Sequence, residues 1–219
     1  MKDNLILNND MFALKSVVPL FGEKETKGIA TISRIHISKD TARWENLRLM
    51  RDAGYMFLLQ EGHYARLHIK GELMMSDTPM ERKSNSTFVQ KANGKVLIAG
   101  LGLGLIIQAI LDKEEVTEVV VIEKHQDVID LVYPKFKSKK LKVICADIDE
   151  WKPSKEEKFD VIYFDIWADI SVDNLEHIRK LHNKFKNSVN RANPNFYINS
   201  WMKEFLQARK RQEARDNWY

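Results

Sequence analysis

An apolar run that breaks into alternating glycines, VLIAGLGLGL at Val96 to Leu105, constrains this chain more than any other segment. Val96 to Ala99 reads as a buried strand. Glycine at every second position after it, Gly100, Gly102 and Gly104, frees the backbone for a tight turn with room beside it. From there the sequence alternates short β-branched runs with helical stretches, the order that builds a parallel sheet covered on both faces. The expected strands are Val96 to Ala99, Glu118 to Glu123, Lys142 to Ala146, Asp160 to Asp165 and Asn195 to Ser200. Helices are expected at Leu105 to Leu111, Gln126 to Val132, Val172 to Asn187 and Trp201 to Asp216, with Pro134 and Pro153 in connections. The fold class is therefore α/β, a Rossmann-like, doubly wound and mostly parallel sheet over residues 91–219.

Residues 1–90 read differently, as a small N-terminal β-rich cap with a helix leading into the core. Asp40 is placed to cap a helix carrying Trp44, Leu47 and Met50 towards Gly54. Tyr55 to Leu59, Tyr64 to Ile69 and Glu72 to Met75 then form a β-meander with turns at Gly62 and Gly71. Thr78-Pro79-Met80-Glu81 has the form of a helix start, with a Thr cap, Pro at the first helical position and Glu closing a capping box; that helix is expected to run to Ala92. After Trp201 to Asp216 the sequence leaves no room for a closing antiparallel hairpin. Either the sheet has five strands or strands from the first 60 residues fill its edge, and an exposed edge favours a homodimer.

With 219 residues, 44% of them hydrophobic and 30% charged, the chain has enough apolar material for one substantial core. No apolar run approaches the roughly 20 residues that span a bilayer, and MKDNLILNND lacks the form of a signal peptide, so no membrane partner and a cytoplasmic location are expected. Cys145 is the sole cysteine, which excludes an internal disulfide, and its run LKVICAD suggests a buried small hydrophobe. The formal charge of +4 permits an anionic partner without requiring one. Lysines 135, 137, 139, 140 and 142 crowd one loop, and Arg209, Lys210, Arg211 and Arg215 load the last helix, which keeps nucleic acid open as a partner. His63 with His68, and His177 with His182, are not at the spacing that puts two ligands on one helix face, so no metal is expected. No G-x-S-x-G elbow of a hydrolase occurs.

The glycine turn can be tested against the ligands such turns serve. A phosphate-binding loop needs Lys and Ser or Thr after its last glycine, and here Leu105-Ile106-Ile107 follows. A dinucleotide fingerprint would put its third glycine at Leu105, where the side chain obstructs close helix packing. What remains is a turn suited to a flexible tail resting on bare backbone. Glu123 ends the next strand, roughly 20 residues on, where a carboxylate can take both hydroxyls of a ribose. Asp147 and Asp165 end the following strands, so acidic groups ring the crevice in which such sheets bind ligands.

In this context VLIAGLGLG, VVVIEKHQDVIDL, VICADIDEW and KFDVIYFDIWAD, in that order, resemble the nucleotide-binding core of class I S-adenosylmethionine-dependent methyltransferases. The likeness is greater to the spermidine synthase-like branch, because Ile98 is apolar and ARLHIKGELMMSDTPMERKSN resembles the hairpin and helix that precede its glycine loop. The resemblance implies that Gly100, Gly102 and Gly104 face the methionine part of the cofactor and that Glu123 holds its ribose. It also implies that Asp147 with the backbone of Ile148 reads the adenine, and that Asp165 lies near the sulfonium. Leu101 and Lys124 complete the expected cofactor contacts.

Spermidine synthases carry an aspartate in the glycine loop and a D-x-x-D pair after the fourth strand, to hold cationic amines. Here Leu103 replaces the first, and Asp165 is followed by Ala168 and then Asp169; the family's glutamate and histidine are not evident in TPMERKSN. Aminopropyl transfer from decarboxylated S-adenosylmethionine therefore ranks second. Methyl transfer asks only for an aligned nucleophile and a base, and Asp165 or Asp169 is the expected catalytic group. Tyr64, Asp77 and Trp167 are the expected rim for an acceptor whose identity the sequence leaves open. A protein that binds the nucleoside without chemistry is the third reading.

Overall fold

The computed structural model describes residues 14–52 and 58–216 of the chain. The parallel sheet stands where the β-branched runs predicted it. Its strands are β5 (Gly94–Ala99), β6 (Val116–Glu123), β7 (Leu141–Cys145), β8 (Val161–Phe164) and β9 (Tyr197–Ser200), in the order β7-β6-β5-β8-β9. Every neighbouring pair is parallel. Because side chains alternate across a strand, Val96 and Ile98 enter one apolar cluster while Leu97 and Ala99 enter another on the opposite face. Val119 and Val121 part from Val120 and Ile122 in the same way. This two-sided burial is why these strands read as continuous apolar runs.

Helices α4 (Leu105–Leu111) and α5 (Gln126–Val132) follow β5 and β6 and pack into the first cluster, through residues such as Ile107 and Val128. Helix α6 (Asn174–Phe185) supplies Leu181 and Phe185 to the second. Helix α7 (Lys203–Asp216) buries Leu206 and is exposed from Gln207 onwards. Among the described residues the sheet has five strands, and none from the N-terminal region lies at its edges. Among the described residues no helix is long and apolar enough to cross a membrane.

The N-terminal strands make their own four-stranded antiparallel sheet: β1 (Lys24–Lys27), β2 (Ala30–Ile37), β3 (Gly62–Ile69) and β4 (Glu72–Ser76), in chain order. The first two were not expected from sequence. A two-residue turn joins β3 to β4 with Lys70 at φ 52° and Gly71 at φ 86°, the paired positive values that suit the twist of a tight hairpin. Of the strand expected at Tyr55 to Leu59, residues 55–57 lie outside the described residues, and Leu58 and Leu59 are not strand. Helix α1 (Lys39–Asp52) is capped by Ser38, whose hydroxyl accepts the Thr41 N–H at 3.2 Å; Asp40 lies inside its first turn. Trp44 and Leu47 on that helix are exposed.

The two sheets share one core. Ile32 and Leu67 of the small sheet join Val96, Ile98 and Leu103 in a single cluster. The β1–β2 hairpin is also pinned to α5, where the Ile29 N–H donates to Asp127 at 3.0 Å, and Lys135 pairs with Glu25 at 2.9 Å. Lys140 likewise donates to the Lys113 carbonyl at 2.9 Å, so two of the crowded lysines tie the fold together.

Four further expectations need correction. Helix α2 (Pro79–Ser84) is separated from α3 (Ser86–Lys91) by the buried Asn85, and Thr78 makes no side-chain cap bond. Cys145 is exposed at the end of the outer strand β7, since an edge strand leaves one flank uncovered. Tyr64 is not a rim residue: it is buried with Ile37 and Ala42, and its hydroxyl donates to the Gln60 carbonyl at 2.8 Å. Asp77 is fully buried as a clasp, accepting from the Ser16 hydroxyl, the Val17 N–H at 3.0 Å and the Ala65 N–H at 2.7 Å. Asp77→Ala would strand two buried amides, so the expected loss of stability is roughly 3 kcal/mol, to be read from urea unfolding midpoints.

Candidate functional site

The carboxyl ends of β5, β6 and β8 and the segment after β7 open into one crevice of about 290 Å³. Gly100, Leu101, Gly102, Glu123, Lys124, Asp147, Ile148, Asp165 and Trp167 all line it, together with Glu81, Met75, His125 and His177. The sequence reading thus converges on a single place for most of its residues. Gly104 and Asp169 do not join them. Gly104 starts α4 at φ 74° and is backed by the Phe136 ring, 2.4 Å from where a Cβ would stand. Asp169 is exposed, with its carboxylate and carbonyl held by the Asn174 amide.

Gly100 explains the first glycine of the turn. At φ 95°, a Cβ would lie 2.1 Å from the Asp165 carbonyl oxygen, a backbone atom that has no freedom to withdraw. The bare residue lets β5 and β8 approach at their ends and so brings the turn beside Asp165.

Glu123 is buried, and its carboxylate receives the Leu101 N–H and the His125 N–H, each at 2.9 Å. This ties the glycine turn to the end of β6. His125 Nδ1 also stands 3.3 Å from Oε1, so of about four acceptor sites one stays free on Oε2 for a sugar hydroxyl, and a second on Oε1 when Nδ1 carries no proton. Asp147 pairs with Lys124 at 2.8 Å and accepts the Asp149 N–H at 2.9 Å; these bonds hold its carboxyl below the ordinary aspartate range. Lys184 fixes the adjoining chain by donating to the Ile148 carbonyl at 2.7 Å and the Asp149 carbonyl at 2.6 Å. Asp149 in turn meets His177 at 2.9 Å, and His177 stands edge-on to Trp167 with ring centres 5.6 Å apart. The buried indole N–H of Trp167 has no hydrogen-bond partner among the described residues.

Glu81 is the residue that sequence reasoning missed. Its place in Thr-Pro-Met-Glu fits a capping box, yet it is buried on the crevice wall. Burial, and then the nearby charge of Asp165, push its carboxyl up to about 8. Asp165 is pushed up to about 7 by burial, opposed by a hydrogen bond from Asn85. The Asn85 amide also donates to the Glu81 carbonyl at 3.2 Å and accepts the Tyr163 hydroxyl at 2.9 Å, which fixes its orientation. Glu81 is buried and Asp165 half-buried, and two neighbouring carboxylates so poorly hydrated favour either a retained proton or a cationic guest.

No protein-family model matches this sequence, and no curated protein does. Solved structures to which the chain is similar include a spermidine synthase from Thermotoga maritima, at 15% identity and TM-score 0.44 over 76% of this chain and 52% of that one. They include the plantazolicin methyltransferase BpumL, solved with a monoazolic desmethylPZN analog and SAH, at 19% identity and TM-score 0.37 over 49% of this chain and 38% of that one. An S-adenosylmethionine-dependent methyltransferase from Mesorhizobium loti follows, at 12% identity and TM-score 0.38 over 48% of this chain and 49% of that one. The chain spans about half or less of the length of these proteins.

Proposed function

We propose that this chain is an S-adenosylmethionine-dependent methyltransferase whose chemistry takes place over Asp165 and Glu81. The observation that carries the reading is the meeting of a glycine turn, the Glu123 carboxylate and the acid pair Glu81 and Asp165 in one crevice. Glu123 would take the ribose hydroxyls, and Asp147 with the backbone of Ile148 would read the adenine. Gly100, Leu101 and Gly102 would lie along the tail, and the unpartnered Trp167 N–H leaves a donor at the same crevice for ligand or acceptor. The cofactor, when bound, supplies an electrophilic methyl on a cationic sulfur.

The chain's own part is electrostatic. An anionic floor favours a cationic ligand over its neutral thioether product, which helps release after transfer. Asp165, titrating at about 7, is suited to take a proton from the acceptor as the new bond forms. Asn85 positions that carboxylate by its amide, while Glu81 beside it keeps the site from being doubly charged without a guest. The acceptor is a group that gives up a proton on methylation.

One observation favours a second reading, aminopropyl transfer from decarboxylated S-adenosylmethionine. Leu103 and Ala168 stand where anions for a polyamine were expected, but Glu81 brings a carboxylate to Asp165 from another element. Incubation with S-adenosylmethionine and a cell extract is expected to yield S-adenosylhomocysteine, detected by mass spectrometry. Methylthioadenosine formed only from the decarboxylated cofactor with putrescine would establish the second reading instead.

A further inference from the structure

The glycine turn is not bare. Gly102 has φ 51°, and a Cβ there would lie 2.4 Å from the sulfur of Met75. The same sulfur accepts the Leu103 N–H at 3.3 Å. The neighbouring amides are also committed: Gly100 to the Ile122 carbonyl, Leu101 to Glu123 and Gly104 to the Leu101 carbonyl, each at 2.9 Å. Met75 therefore covers the middle of the turn and takes up a donor that a ligand's tail would otherwise meet.

Charge points the same way. Glu81 and Asp165 line this crevice with Met75, while its lysine, Lys124, is paired with Asp147, and His125 leans on Glu123. A tail carboxylate arriving at the turn meets a thioether and two acids. Met75 can leave, because methionine has three soft torsions and β4 is, among the described residues, the outer strand of its sheet beside β3.

We propose that Met75 selects the tail of the bound nucleoside. Seated on Gly102, it admits an adenosine with a short uncharged sulfur substituent; an amino-acid tail enters only after the side chain swings off the turn. The inference rests on the nucleoside site proposed above. A side chain seated about nine-tenths of the time weakens the apparent affinity for the long-tailed ligand about tenfold.

Calorimetry with two probes tests this: S-adenosylhomocysteine, which carries the tail, and methylthioadenosine, which has a methyl in its place. Met75→Ala is expected to raise the affinity ratio of the first to the second about tenfold. Met75→Leu, which keeps the volume, is expected to hold the wild-type ratio. An unchanged ratio in Met75→Ala, or an equal rise in both variants, overturns the selection by Met75 and leaves the nucleoside site standing. Failure of both probes to bind wild type and variants alike removes the site and the inference together.

Discussion

Asp165→Asn is expected to slow transfer by about 10²- to 10⁴-fold, the usual worth of a positioned acid or base, with little change in the substrate concentration needed for half-maximal rate. The rate of the unaltered protein should rise with pH through about 7, as Asp165 gives up its proton, and level off above. In the variant that limb should vanish. Glu81 provides a second readout, because the Asp165 charge is one of the causes holding its carboxyl up to about 8, and Asp165→Asn should let it titrate lower.

Stability should follow with a definite sign. An unfolded chain loses the protons of these two carboxyls near pH 4, whereas the fold keeps them to about 7 and about 8. Between those limits the folded chain binds more protons, so raising the pH costs stability; above the folded values the loss is complete. Melting temperatures measured from pH 5 to 9 should therefore fall for the unaltered protein and fall less for Asp165→Asn. A flat wild-type profile would mean that the pair does not hold its protons as described.

Glu123→Ala is expected to weaken S-adenosylhomocysteine binding by about tenfold to a hundredfold, since a hydrogen bond to a charged group is worth about 1.5 to 3 kcal/mol. The same change frees the Leu101 and His125 amides from their acceptor, so some thermal stability should also be lost. Glu123→Gln keeps one carbonyl oxygen for the turn and separates the two effects: it should recover more stability than affinity. A folded Glu123→Ala protein that binds as well as the parent would end the ribose assignment.

How much of this could be read in the sequence depended on what each residue answers to. Strands β5, β6 and β8 were legible because burial on both faces makes them nearly continuous apolar runs, whereas the outer strands β7 and β9 are only partly buried and show as shorter apolar stretches; the bounds of α4 and α5 were legible too. Strand β2 was missed although Ala30 and Ile32 alternate inward; Arg34 and His36 dilute the pattern on a strand that is only half buried. Glu123, Asp147 and Asp165 could be placed at the crevice because each stands at a strand's last residue or within two residues of it. Glu81 was not, since its place in Thr-Pro-Met-Glu satisfied a local capping pattern, and only tertiary packing turns it towards Asp165. Asp77 misled in the opposite sense. A polar residue beside a hairpin reads as a rim, but three donors from distant segments make it a buried clasp. The turn glycines were found for an incomplete reason: Gly100 makes way for the Asp165 backbone, Gly102 for Met75 and Gly104 for Phe136.

The most direct test is a crystal structure grown with S-adenosylhomocysteine. The account predicts the sugar hydroxyls on the Glu123 carboxylate, the adenine beside Asp147 and Ile148, and the sulfur facing Asp165 and Glu81. A ligand bound away from the carboxyl edge of the parallel sheet, or a crevice that stays without ligand at saturating concentration, would contradict it.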